Sequence, residues 1–93
     1  MIKEKKAYTF AKQILKSGTS IGANIAEAQH AQSKADFISK MSIALKETAE
    51  TIYWLRLLKA TEILNEKEAE SLLHDSTEIY KILSSIVKTS KNY

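Results

Sequence analysis

The 93-residue chain has no cysteine and no proline, two glycines, one tryptophan and a single arginine, Arg56. Without cysteine there is no disulfide framework, thiolate metal site or cysteine nucleophile, and a reducing cytoplasm is the expected setting. Without proline, and with Ala, Leu, Ile, Lys and Glu dominating, the composition is that of long helices, so the expected class is all-α. No apolar stretch approaches the roughly 18–20 residues that span a bilayer, and no apolar core of a signal peptide follows Met1. A soluble, unexported protein is expected, as one domain near the lower size limit for a self-sufficient core.

What is present is concentrated. Both glycines lie in Ser17 to Ala28 (SGTSIGANIAEA). Gly18 follows an apolar-periodic segment ending at Ile14 and Leu15, where a helix C′ position favours glycine. Thr19 or Ser20 could then cap a new helix. Ile21, Ile25 and Ala28 form its apolar stripe, and Ser20, Asn24 and Glu27 a polar one beside it. Gly22 and Ala26, four apart, suggest a close approach by another backbone or ring.

The periodicity predicts four helices, over about residues 2–16, 20–31, 33–63 and 66–90, in one domain spanning 1–93. Ser33 with Asp36 three residues later makes a capping-box-like start to the third. Along that helix Ile38, Met41, Leu45, Thr48, Ile52 and Leu55 alternate by three and four. A second stripe, Phe37, Ala44, Thr51, Trp54 and Leu58, runs beside it. Two apolar faces imply two neighbours, one within the chain and one in another subunit or partner, with Phe37, Trp54 and Leu58 as the partner seam. Ile63 and Leu64 close the segment, and Asn65 caps the fourth helix ahead of Glu66 and Glu68. There Ala69, Leu72, Ser76, Ile79, Leu83 and Ile86 repeat by three and four, with Leu73, Tyr80 and Val87 alongside. Short connections imply antiparallel neighbours.

The net charge of +3 is unevenly placed: residues 1–16 carry Lys3, Lys5, Lys6, Lys12 and Lys16 against Glu4 alone, a local balance of +4. An anionic partner would be drawn to that end, unless the lysines form only a solvated face. Catalytic constellations are thin. Glu27-Ala28-Gln29-His30 has the Glu-x-x-His spacing of di-iron bundles, with Glu47 and Glu50 as possible partners, but His74 has Glu70 at four residues instead of three. A helix-end histidine is the plainer reading, and no metal or other cofactor is expected. No histidine follows Arg56 at short range, which disfavours nuclease chemistry. The serines, threonines and lysines suggest no nucleophile, base and oxyanion grouping, and Gly18 and Gly22 fit no phosphate-binding spacing. The chain is not expected to be an enzyme. Asn24 and Glu27, if they face a neighbouring helix, need partners such as Lys46, Lys40 or a hydroxyl. Trp54 with Tyr53 could stack on bases, although anchoring a core or an interface is the commoner use.

The run Gln13-Ile14-Leu15-Lys16-Ser17-Gly18-Thr19-Ser20-Ile21-Gly22-Ala23-Asn24-Ile25-Ala26-Glu27-Ala28, followed by Ser33, Asp36-Phe37, Ile43-Ala44-Leu45-Lys46-Glu47 and Glu50-Thr51, resembles the 23S rRNA intervening-sequence proteins. The family mark is a serine-isoleucine, two variable residues, then asparagine-isoleucine-alanine-glutamate, here Ser20, Ile21, Asn24, Ile25, Ala26 and Glu27. The resemblance implies an up-and-down four-helix bundle with a shortened first helix, assembling as a ring-like homo-oligomer, a pentamer. Family members usually carry about twenty or more residues ahead of the part matching Ala7 to Lys16, so apolar surface on the third and fourth helices would lie open and favour association. A related branch, the accessory variability protein of diversity-generating retroelements, is a basic pentamer that binds nucleic acid and associates with a reverse transcriptase. The expectation is therefore a non-enzymatic homo-oligomeric scaffold that contacts RNA or other nucleic acid through Lys3, Lys5, Lys6, Lys12 and Lys16. The alternative is an adaptor that binds a polymerase or other protein without touching nucleic acid. No membrane partner is implied.

Overall fold

Gly18 does not end a helix. The computed structural model describes residues 2–62 and 64–92, with the side chains of Ile2, Lys3, Glu4 and Lys6 outside that description. It contains three helices, α1 (Ile2–Gln29), α2 (Lys34–Ala60) and α3 (Glu66–Lys91), where four were expected. The expected first and second helices are one element of 28 residues.

The reason is packing. Neither glycine adopts a positive φ, and an inward stripe runs through the expected break in unbroken register. Ser17 and Ala28 on it are buried, and Ile14, Ile21, Asn24 and Ile25 half-buried. Two glycines inside a helix cost roughly 0.5–1 kcal/mol each, less than the burial of that face returns. The Thr19 hydroxyl donates to the Leu15 carbonyl at 2.8 Å, across Gly18. The expected close approach is also absent, since a Cβ built on Gly18 or Gly22 would meet nothing within 4 Å.

The other two starts follow local chemistry. Ser33, in extended conformation, caps α2 by accepting from the Asp36 amide at 3.0 Å. Asn65 caps α3 by accepting from the Lys67 and Glu68 amides at 2.8 and 3.4 Å. Each satisfies amides that the first helical turn leaves without intrahelical partners. α2 stops at Ala60, ahead of the expected end; Ile63, part of that expectation, lies outside the described residues.

At the α2 C-terminus the left-handed position that favours glycine is held by Glu62, φ 59°. A side chain there costs roughly 1–2 kcal/mol, while glycine would lose more freedom on folding. Glu62→Gly is therefore expected to raise the unfolding free energy by about 0.5 kcal/mol, read from chemical denaturation.

α2 is the central element. Met41, Ala44, Thr48, Thr51, Leu55 and Leu58 are buried along it, a stripe lying between the two faces that the sequence suggested. Both flanks are taken within the chain. On one, Trp54 meets Phe10 of α1 at 5.7 Å between ring centroids, and Lys40 pairs with Glu27 at 3.5 Å. On the other, Lys59 pairs with Glu70 of α3 at 3.2 Å. Phe37, Trp54 and Leu58, expected on the face toward another subunit or partner, therefore make contacts within the chain. The Thr48 and Thr51 hydroxyls donate to Ala44 and Glu47 carbonyls one turn back, at 2.8 and 2.9 Å, which satisfies both inside the core.

α1 and α3 lie along α2 without approaching within 8 Å of each other, Cα to Cα, among the described residues. The result is an open array, 50 × 20 × 13 Å in principal extents. It closes at one end, where Ala28, Met41, Ala44, Leu83 and Val87 form the core cluster, flanked by Ile21, Ile25, Phe37, Leu45 and Ile86. The expected α3 face is only partly inward: Ala69, Leu83 and Val87 are buried, whereas Leu72 and Ile79 are exposed, as is Ile82. Nothing in this single chain forms the expected four-helix ring assembly, and the four-helix count is replaced by three.

Candidate functional site

α1 carries the most one-sided charge in the chain. From Lys5 to Ala26 it contains no acidic residue. Lys5, Lys12 and Lys16 are exposed, and spacings of seven and four place them on one helical face. Eleven residues of rise spread them over about 16 Å. The backbones of Lys3 and Lys6 belong to the same helix. Ion pairs among the described residues lie elsewhere, at Glu27 with Lys40, Glu70 with Lys59 and Glu78 with Lys81.

The lysine face is not flat. A shallow hollow of about 490 Å³ is lined by Lys12, Gln13, Leu15, Lys16, Thr19 and Ser20. Beside it a second, of about 380 Å³, is lined by Tyr8, Ala11, Lys12 and Leu15. Tyr8 and Leu15 are 70% and 71% exposed, the largest such values among the exposed large apolar side chains described. Apolar stems and rings between lysine heads suit a ligand that carries both phosphates and flat, weakly polar groups.

Gln13 also reaches a third depression. An open groove of about 560 Å³ between α1 and α2 is lined by Gln13, Lys46, Ala49, Glu50, Tyr53 and Trp54. Tyr53 and Trp54 meet edge to face at 5.3 Å and 73°. Tyr53 is 59% exposed, while Trp54 is half-buried. Only its α2 side has a sequence signal, Lys46, Glu50 and Tyr53 at i, i+4 and i+7 on the side facing away from the buried stripe; that Gln13 of α1 lies opposite has none.

The motif residues serve the fold. Ser20 is half-buried and its backbone carbonyl accepts from the Asn24 side-chain Nδ2 at 2.8 Å. Ile21 and Ile25 pack on the core cluster. Ala26 and Glu27 are exposed, and Glu27 finds Lys40, one of the partners expected for it, in a solvent-screened pair worth about 0–1 kcal/mol. The suggested seam residues are engaged inside the protomer: Phe37 packs against the core cluster, Trp54 lies beside Phe10, and Leu58 is 5% exposed. His30 and Glu27 are exposed near the end of α1, and no group of three or more His, Asp or Glu able to hold a metal ion occurs among the described residues. No helix among the described residues is long and apolar enough to cross a membrane.

Fold and surface together define a small all-helical protein whose first helix turns a basic, acid-free face to solvent. The family model described as 23S rRNA-intervening sequence protein matches residues 1–85, and the chain belongs to that family. Among solved structures it is similar to a protein of unknown function from the S23 ribosomal protein family of Bacteroides thetaiotaomicron VPI-5482. The two are 62% identical with a TM-score of 0.82, over 85% of this chain and 73% of that one. Among curated proteins none matches.

Proposed function

We propose that the protein is a non-enzymatic scaffold that binds RNA through the lysine face of α1 and associates with copies of itself. The acid-free row of Lys5, Lys12 and Lys16, exposed along a helix held rigid by α2, carries this reading. Lys3 and Lys6 add further positive charge close to Lys5 in the sequence. Such a surface attracts phosphates by charge and by counterion release, without reading sequence. The exposed Tyr8 and Leu15 between the lysines favour a polyanion that also carries bases, such as RNA, over one of phosphate or carboxylate alone. Self-association is supported by Leu72, Ile79 and Ile82, which leave an apolar row exposed along α3. The family resemblance implies five copies.

Glutamine at Lys3, Lys5, Lys6, Lys12 and Lys16 together tests the RNA contact. Glutamine removes the charge while keeping a polar, unbranched side chain of similar helix propensity. Affinity for a mixed RNA pool is expected to fall by at least about ten-fold at low salt, across all sequences alike. Light scattering should give the same mass for both proteins. Unchanged RNA affinity in the glutamine variant would rule the lysine face out, and a monomeric wild-type mass would remove the self-association.

A further inference from the structure

We infer that the groove between α1 and α2 accepts an unpaired base of single-stranded RNA, with the Tyr53 ring as the stacking surface; this rests on the RNA-binding reading of the lysine face. Continuity is the first argument. Gln13 lines both this groove and the Lys12–Lys16 hollow, so a strand whose phosphates lie on the lysines has a base within reach of the groove.

Shape and chemistry are the second. The groove's volume, about 560 Å³, falls in the roughly 300–1,000 Å³ range of small-ligand sites. Tyr53 and Trp54 stand at 73° to one another, so a base lying flat on Tyr53 directs an edge toward Trp54. Trp54 is braced from behind by Phe10 at 5.7 Å, which leaves the corner little freedom to collapse. Tyr53, more than half exposed, offers a ring face that the fold does not use. The polar lining matches a base edge: Gln13 supplies both a donor and an acceptor, Glu50 accepts and Lys46 donates. Glu50 also disfavours a phosphate at this spot, assigning phosphates to the lysine row and the base to the groove. In a duplex the bases are stacked and paired and cannot enter, whereas an unstacked base can.

The chain's only tryptophan reports on the groove. The full-length protein is titrated at low salt with a ten-nucleotide unstructured RNA and with a duplex of equal length. Trp54 fluorescence is followed, and affinity is read independently from the anisotropy of labelled RNA. The single strand is expected to change Trp54 emission and the duplex to leave it unchanged. Tyr53→Ala should weaken single-strand binding by roughly 5- to 150-fold, the range of one base–aromatic stack, and leave duplex binding as it was. Tyr53→Phe, which keeps the ring, should bind single strands like the wild type. Single-strand binding that leaves Trp54 emission unchanged, or is unaffected by Tyr53→Ala, overturns the groove while the lysine reading stands. No binding of either RNA overturns both.

Discussion

Leu55→Ala is expected to lower the unfolding free energy by about 3 kcal/mol, within the roughly 2–5 kcal/mol measured for such truncations at buried sites. Leu55 is 2% exposed and is one of the two largest fully buried side chains, in the middle of the α2 stripe that both flanking helices cover. The loss combines the transfer free energy of the removed methyls with a cavity that two rigid neighbours cannot close. A domain of this size holds only about 5–14 kcal/mol of stability, so the change removes roughly a fifth or more. In urea followed by circular dichroism, at one fixed protein concentration because association adds to apparent stability, the midpoint should drop by on the order of 1–3 M with an unchanged slope. Leu15→Ala provides the control. At 71% exposure it should alter stability by less than about 0.5 kcal/mol.

Alanine at Gly18 and Gly22 together should act in the opposite direction. Both positions sit inside α1 without positive φ, and an added Cβ meets nothing within 4 Å at either. Relief of the glycine penalty is worth about 1–2 kcal/mol for the pair, a rise in Tm of roughly 5–15 °C for a domain this small. A helix break at Gly18 requires the reverse outcome, because a left-handed position penalises alanine. A loss of stability in the double variant would therefore restore a break between Ser17 and Ser20.

Those same residues show what the sequence could and could not disclose. The caps at Ser33 and Asn65 were legible because capping is local: one side chain meets amides two or three residues on. The all-helical class followed from composition. Gly18 misled because its local signal, worth about 1 kcal/mol, is visible in the sequence, whereas burial of Ser17 and Ala28 against α2 depends on residues far along the chain. Of the two α2 stripes, the members on the adjoining edges are the buried ones, Met41, Thr48 and Leu55 from one and Ala44, Thr51 and Leu58 from the other, because a helix packed on both flanks buries the strip where they meet. Likewise, Leu72 and Ile79 have the periodicity of core positions, and only the separation of α1 from α3 leaves them exposed. Of the candidate site, the lysine cluster was plain from charge alone. The groove at Tyr53 was not, because it needs Gln13 and Lys46 from different helices.

The most direct test of the central reading is the salt dependence of RNA binding by the unaltered protein. Five lysines on a single strand predict that the logarithm of affinity falls with the logarithm of salt concentration with a slope of about −3.5, and three lysines give about −2. A slope between these values, reduced toward zero by the five glutamines, is the expected result. An affinity that does not change with salt, or a slope that survives the substitutions, would contradict the assignment of α1 as the RNA-binding face.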